Sequence, residues 1–458
     1  MATNAVNRVQ RGAILNLNSD SFSKLARFSG VSGFGIGLTT LFLSVGVALA
    51  QTDVGSLPSV SAPGAYGDTV TTGAAASAST QRALSPPPGI GADAAAGLQL
   101  SIGVGASRHS NPERLPQGSP EDTSYVINPS ITWGGELGRH LFQIGYSAGS
   151  ERFDRFDTED SDYQSLNAAL RLDITRILIA DLYANHTEAE ERRGASGSRV
   201  IGVNEDQDEY ETDTLGGRVT LGRRTNLLQL YVGAETTSLD FTNNNQEFRD
   251  RDQDMVEAGL FFNVGPATAL FLHASETDYD YLVGDPSNDN TETSLTAGVT
   301  WEATEALSLR LEAGNLEKDF DDPLIAGFDG DTYLGKLLWS PRDRTTLSLY
   351  ASRTTEESAD ANAAFFVSEV TGVEFTQLIG ERTTATLHYA DANDEYSDGR
   401  IDDVTDYGIA LGYNLFTWLD LGFSYNRVEK DSNDPDFDYE DDVYSLFVNF
   451  KPSLGGRN

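Results

Sequence analysis

The side chains of this 458-residue chain most able to take part in chemistry are carboxylates. They are concentrated in four acidic runs. Clustered carboxylates and asparagine carbonyls are hard oxygen donors, the ligand type that Ca²⁺ prefers. None of the runs has the spacing of a formal calcium loop, so solvated loops are the favoured interpretation and a calcium site is the minor alternative. The runs are DRFDTEDSD (154–162), VNEDQDEYETD (203–213), FDDPLIAGFDGD (320–331) and SNDPDFDYEDD (432–442).

Nucleophilic, redox and metal chemistry has little support. Cysteine is absent, which removes thiolate nucleophiles, thiolate metal sites and disulfides and suits an oxidising envelope compartment. The five histidines are scattered, and His273 and His388 have no serine or aspartate at a telling position. There is no glycine loop of the phosphate-binding type and no histidine spacing typical of a metal site. We therefore predict no catalytic residue, no metal and no cofactor, and a protein that is not an enzyme.

The formal net charge is −38. Nucleic-acid binding needs a basic footprint, so nucleic acid is excluded as a partner. An acidic excess usually indicates only a solvated surface.

The first 96 residues divide into two segments without β patterning. Residues 1–50 predict a secretory signal peptide, because basic residues precede the apolar stretch FGIGLTTLFLSVGVALA (34–50), which ends in a small-x-small motif. An uncleaved membrane anchor is the alternative. Residues 51–96 are rich in Ala, Ser, Gly and Pro and predict a disordered periplasmic segment, since they cannot bury enough apolar surface to fold.

From residue 97 to residue 450, apolar and polar residues alternate in segment after segment. In LQLSIGVGA (98–106), the Leu, Ile, Val and Ala side chains fall on one face and the Gln, Ser and Gly residues on the other. A strand between lipid and an aqueous lumen must change polarity at every residue. We count about 18 such strands of roughly 9–11 residues each. Further examples are LNAALRLDI (166–174), LLQLYVGAE (227–235), LSLRLEAG (307–314) and LDLGFSYN (419–426).

The connections alternate between short turns and long acidic loops, the last two long ones falling near 394–403 and 429–440. Together with an even strand count, this pattern predicts an all-β fold. The architecture is a transmembrane antiparallel up-and-down β-barrel with both termini periplasmic, followed by a short periplasmic tail at residues 451–458. The predicted location is the outer membrane, and lipid, lipopolysaccharide and the barrel assembly machinery are predicted partners.

Aromatic residues mark the edges of the predicted barrel. The four tryptophans all lie beside short turns and predict a girdle at one membrane interface: Trp133, Trp301, Trp339 and Trp418. Tyr146, Tyr279, Tyr396 and Tyr425 approach the long loops and predict an outer girdle.

The last strand, VYSLFVNF (443–450), ends on an aromatic residue. Its apolar face resembles the C-terminal signal by which barrels are recognised for insertion, although KPSLGGRN follows it. The residues of this predicted insertion signal are Tyr444, Leu446, Val448 and Phe450.

Charged residues opposite the apolar face predict the lining of the lumen. Four of them lie within about two pleats of a short turn and predict a basic ring at the periplasmic mouth, which could select anionic solutes. The alternative, which we favour, is that these cations pair with lumen carboxylates and brace the wall. The ten residues are Arg171, Asp173, Arg218, Glu235, Glu257, Arg310, Glu312, Lys336, Glu374 and Asp420, the four basic members being those of the ring.

The first three strands carry a family resemblance. A first strand ending at Ser107 is followed by HSNPERLPQGSPEDTS (109–124), YVINPSITW (125–133), a Gly-rich turn and LFQIGYSAGSERF (141–153). This order resembles the family of outer-membrane beta-barrel porins associated with exopolysaccharide export loci. His109-Ser110-Asn111 stands where family members often have an Asp-Asn pair. The resemblance implies an outer-membrane barrel and an exit pore for a secreted polysaccharide, with periplasmic export components as partners.

Three functions therefore compete. An exopolysaccharide export channel comes first, and a general or substrate-selective porin for small solutes comes second. The third is a non-conducting structural or surface-interaction barrel. Conductance and the secretion of polysaccharide distinguish them, because fold alone does not determine cargo.

Overall fold

The computed structural model describes residues 97–198, 205–283, 288–304, 306–360 and 362–452. The predicted signal peptide (1–50), the predicted disordered segment (51–96) and all but two residues of the predicted tail lie outside the described residues. No helix in the described ranges is long and apolar enough to cross a membrane.

Eighteen strands make up nearly all of the described structure. They are β1 (Gly97–His109), β2 (Asp122–Leu137), β3 (His140–Phe153), β4 (Ser161–Asp173), β5 (Leu178–Glu191), β6 (Asp208–Leu221), β7 (Leu228–Phe241), β8 (Arg251–Asn263), β9 (Thr268–Tyr281), β10 (Asn290–Thr304), β11 (Leu307–Phe320), β12 (Phe328–Arg342), β13 (Thr345–Glu357), β14 (Phe365–Ile379), β15 (Thr383–Tyr396), β16 (Ile401–Phe416), β17 (Leu419–Ser432) and β18 (Tyr439–Phe450).

The sheet closes on itself. Each strand pairs antiparallel with its neighbours in sequence, and β1 pairs with both β2 and β18. Val104 lies opposite Ile127 on one side and opposite Val448 on the other. Closure leaves the described sheet without an open edge, which is the condition for crossing a membrane with strands. The prediction of an up-and-down barrel with about 18 strands is confirmed.

The strands are longer than predicted, with 12 to 16 residues each. The prediction of roughly 9–11 residues counted only the apolar part of each strand. Pairing continues beyond it because backbone hydrogen bonds do not depend on side-chain polarity. As a result, parts of the predicted acidic loops lie in strands, such as 208–213 in β6 and 439–442 in β18. The predicted long loop near 394–403 is wrong as well, since only residues 397–400 separate β15 from β16.

Alternation along each strand gives the barrel an apolar outer surface and a polar inner wall. Ile102 and Val104 of β1 are more than two-fifths exposed, whereas the polar residues Ser107 and Ser124 point inward and are buried. Small apolar clusters also lie on the inner wall, one of them formed by Tyr231, Phe261, Ala269 and Phe271.

The aromatic residues separate into two groups. All four tryptophans are exposed and lie near short connections, and three of the four residues of the predicted insertion signal, Tyr444, Leu446 and Phe450, are exposed too. Tyr146 also lies on the outer surface. The prediction of an outer girdle is wrong for Tyr279 and Tyr396, which are each 4% exposed on the inner wall. Their predicted position depended on proximity to loops and ignored the parity of the strand.

Candidate functional site: a constricted lumen

The inner wall positions the predicted lumen charges, and three of the four predicted basic residues pair with acids there. Arg218 Nη2 lies 2.7 Å from Glu257 Oε1, and Arg310 Nη2 lies 3.0 Å from Glu312 Oε2. Arg171 Nε lies 4.0 Å from an oxygen of Asp181, which faces it across the β4–β5 ladder. For these three cations, the pairing agrees with the interpretation that they brace the wall by binding lumen carboxylates.

His273 connects two of these ion pairs. Its Nε2 lies 3.4 Å from Glu257, and its Nδ1 lies 3.7 Å from Glu312. Aromatic rings contact the arginines of both ion pairs. Arg218 stacks on Tyr231 at 4.6 Å, and Arg310 stacks on Phe271 at the same distance. His273 lies on β9, and its two acidic partners come from β8, the neighbouring strand, and from β11, two strands away.

Lys336 behaves differently from the other predicted basic residues. It is exposed, and within the described ranges no carboxylate lies within 4.0 Å of its ammonium group. Its neighbour across the β11–β12 ladder is Arg310. Glu374 on β14 is also exposed. These two charges face water, so this part of the inner wall borders an aqueous space.

The remaining predicted lumen residues are engaged locally or half-buried. The Tyr183 hydroxyl donates to Glu235 at 2.5 Å, and Asp420 forms an ion pair with Lys451 at 2.8 Å. Asp173 is half-buried at the end of β4, opposite Ile179. A role for any of the ten residues in selecting solutes stays a prediction.

At the end of the barrel that carries the longer connections, the inner wall holds buried charges that the sequence did not distinguish from solvated loops. Lys318, fully buried, lies 2.5 Å from Glu357 and 3.3 Å from Glu292. Lys430 lies 2.9 Å from Asp402. At the start of β16, Asp402 is buried on the inner wall and the next residue, Asp403, is exposed. Continuing the alternation into the acidic runs could have found such inward-facing acids.

The connection after β5 folds into the lumen. We call residues 192–198 of this connection the plug loop. Its Gly197 N–H donates to the Tyr396 hydroxyl at 2.9 Å, and its Gly197 carbonyl accepts from the Ala359 N–H at 2.8 Å. Ser196 also hydrogen-bonds to Asp394. These partners belong to β15 and to the connection after β13, whereas β5 lies nine places from β14 in a ring of 18 strands. The plug loop therefore reaches the opposite wall and constricts the pore.

A buried ion pair holds the near end of the plug loop. Arg193 Nε lies 2.9 Å from Glu159 Oε1, and both side chains are less than 5% exposed. Gln207 donates to Glu159 at 3.3 Å, and Arg114 donates to the Arg193 carbonyl at 3.2 Å. Burial raises the pKa of Glu159 above its ordinary value, although Arg193 opposes this effect.

The sequence of the plug loop, RRGASGS, contains the signal that could have identified it. Two arginines in a strongly acidic region predict pairing with acids elsewhere. Gly194 and Gly197 both have φ of +76°, a conformation that favours glycine, and they make the tight path possible.

One group of described side chains has metal-binding geometry. His186, Glu211 and Asp213 place one ligand atom each within 4.8 Å of one another on the polar end of β5 and β6. The sequence did not reveal this group, because its members meet only through the strand register. His186 also hydrogen-bonds to Asp213 at 2.9 Å, so ordinary side-chain contacts account for the arrangement.

Comparisons with known proteins agree with the barrel. Residues 98–452 match the family model described as "Putative beta-barrel porin 2". No curated protein matches this chain.

Among solved structures, OccK2 (OpdF) of Pseudomonas aeruginosa is 13% identical with a TM-score of 0.44, over 78% of this chain and 98% of that chain. The copper transporter OprC is 11% identical with a TM-score of 0.44, over 78% and 80%. A bacterial polysaccharide outer membrane secretin is 11% identical with a TM-score of 0.35, over 77% and 98%.

Proposed function

This chain belongs to the family described as "Putative beta-barrel porin 2", and we propose that its barrel is a gated channel for the export of exopolysaccharide. The chain is an outer-membrane β-barrel of the porin type. Gating, cargo and direction are the parts that we propose. The cargo follows from the resemblance of the first three strands to porins of exopolysaccharide export loci, whose periplasmic components are then the proposed partners.

The plug loop is the observation that supports gating. A passive porin keeps its lumen open, whereas here a loop reaches the opposite wall. Its described contacts with that wall are a few hydrogen bonds, and each hydrogen bond contributes only about 1 kcal/mol net. Such contacts can hold the loop across the lumen and still be displaced.

The exposed charges of Lys336 and Glu374 favour a channel over a structural barrel with a filled lumen. A plugged barrel would bury or pair its inner charges, because an isolated buried charge is strongly unfavourable. A passive porin and a non-conducting surface barrel remain the alternatives that the experiment must separate. Ser124, His109 and Asp441 are joined by hydrogen bonds of 3.3 and 3.2 Å, in the order of a nucleophile, a base and an acid. All three side chains are buried where no substrate reaches the hydroxyl, so our proposal assigns them a structural role and not an enzymatic one.

The direct test is single-channel conductance of residues 51–458 in planar bilayers, with the plug loop free or locked. The chain has no cysteine, so the pair Ser196→Cys and Asp394→Cys can be introduced without competing thiols. Their side chains are hydrogen-bonded in the structure, which brings them close to disulfide range.

We expect low conductance in the oxidised double variant and a larger, fluctuating conductance after reduction. The two single-cysteine variants are the controls and should not respond to the reductant. In a deletion strain, secreted polysaccharide should fall and should be restored by the wild-type chain. Equal conductance of the locked and reduced forms would refute gating, and normal secretion in the deletion strain would refute export.

A further inference from the structure

A cavity of about 280 Å³ lies directly behind the plug loop. Its walls come mainly from β2 to β8 and the connections beside them, with Glu357 and Ser358 added from the far wall. The plug loop closes one side through Ala195, Ser196 and Gly197. Its size is near the lower end of small-molecule sites, so it fits one ring and not an extended chain.

The lining combines aromatic rings with polar groups that can form hydrogen bonds. Tyr163, Tyr210 and Phe241 contribute the rings, while Asn128 and Gln207 contribute amides. Arg251 also lines the cavity, is 5% exposed, and its Nε has no hydrogen-bond partner among the described residues. Because an unpartnered buried donor is unfavourable, this group favours an occupant that offers an acceptor.

The charge of the lining disfavours an acidic occupant. Six carboxylates and three guanidinium groups border the cavity. Arg249 is already held by two bonds to Glu191, at 2.8 and 3.0 Å. Most of the carboxylates are paired as well, Glu159 with Arg193 and Glu357 with Lys318 among them. The lining therefore offers a carboxylate of the occupant little net positive charge to offset the loss of its hydration, whereas a neutral occupant has no such loss.

We propose that this cavity is a binding subsite for one non-acidic sugar unit of the cargo. A sugar ring presents C–H faces to aromatic rings and hydroxyl oxygens to donors such as the Arg251 Nε, which matches the lining. The inference rests on the proposed function and adds the charge class of the substrate. Because the plug loop forms one wall, an occupant touches it, which couples substrate binding to the gate.

The test is isothermal titration of the folded full-length barrel in detergent with three tetrasaccharides of similar size, each of which can place one terminal ring in the cavity. One is neutral (cellotetraose), one carries amines (a glucosamine tetramer) and one carries carboxylates (a galacturonate tetramer). We expect the neutral or the amine-bearing probe to bind. The carboxylate probe should bind at least about tenfold more weakly, because a modest electrostatic penalty is enough to change the dissociation constant tenfold.

Two variants locate the binding in the cavity. Tyr210→Leu removes a ring while keeping apolar bulk and should weaken binding about fivefold, the scale of one aromatic contact. Ala195→Trp fills the cavity from the plug loop and should abolish binding. The matched control is Tyr350→Leu, which removes a half-buried inner-wall tyrosine from β13, away from the cavity lining.

The outcomes separate this inference from the proposed function. Equal or tighter binding of the galacturonate probe, or binding unchanged in both cavity variants, would overturn the subsite. If no probe binds while the reduced cysteine variant still conducts and the deletion strain loses secretion, the subsite is wrong and the export channel stands. If secretion is normal but a neutral probe binds in the cavity, the export function is wrong and the saccharide site stands.

Discussion

The Arg193→Met substitution isolates the ion pair that holds the near end of the plug loop. Methionine keeps much of the length and apolar volume of arginine but removes its charge. Glu159 then stays buried, with Gln207 as its nearest described donor at 3.3 Å. The closed position of the plug loop should lose stability relative to any position in which Glu159 reaches water.

Two upper bounds limit how much stability the closed position loses in the Arg193→Met variant. Removing one partner of a buried pair costs about 3–5 kcal/mol. Glu159 can instead take up a proton, and protonating an ordinary glutamate at pH 7.5 costs about 4 kcal/mol, at 1.36 kcal/mol for each unit above a pKa of about 4.3. The second bound falls to about 1.5 kcal/mol at pH 5.5. The closed-to-open ratio should therefore fall by roughly two orders of magnitude or more at pH 7.5, and by about tenfold at pH 5.5.

The assay is the open probability of single channels in planar bilayers at the two pH values. Wild-type chain and the double variant Arg193→Met/Glu159→Gln are measured beside the single variant. The double variant should recover most of the closed state, because no charge is left buried without a partner. An open probability of Arg193→Met equal to that of wild type at pH 7.5, in channels that insert normally, would refute a latch at this ion pair.

Three further predictions follow from single positions. The pKa of Glu159 is raised by burial in the closed state and returns to its ordinary value when the loop opens, so the closed state binds the proton more tightly. Open probability should therefore fall as the pH falls through the window between the two values, and Glu159→Gln should weaken that dependence; a steeper dependence in the variant would contradict the reasoning. Lys336→Glu should shift the reversal potential in a KCl gradient toward cation selectivity, because this exposed lumen charge has no carboxylate within 4.0 Å among the described residues, and an unchanged potential would place it outside the conducting path. Gly259→Leu should impair folding by roughly 1–3 kcal/mol, because the Tyr231 ring of the neighbouring strand lies over Gly259. Heat-dependent mobility on a denaturing gel measures it, and Gly265→Ala, at a position with open space, should migrate like wild type.

The strand count was predictable because one rule, apolar out and polar in, applies to each strand separately. The first strand illustrates it: Ile102 and Val104 were assigned to the outer face from alternation alone, and both are exposed there. Strand ends were not predictable to the same degree. At 208–213 and 439–442, acidic residues resemble a loop in composition but still pair, since the ladder uses only backbone groups.

In the candidate site, too, the sequence predicted which residues face the lumen but not which of them pair. The sequence assigned Arg218, Arg310 and Lys336 to one basic ring, but their surroundings differ. The first two pair with Glu257 and Glu312, whereas Lys336 faces water. Pairing depends on which residues the register places within about 4 Å, and register is not encoded by alternation.

The sequence by itself determined a closed antiparallel barrel and the polarity of its two faces, because period-two patterning is a local property of each strand. Only the tertiary structure decided that residues 192–198 cross the lumen and meet Tyr396 and Ala359 on the far wall. That contact joins residues about 200 positions apart, through a glycine-containing loop whose path depends on barrel closure. A loop has no periodic constraint of its own, so its position follows from the partners that the closed wall presents.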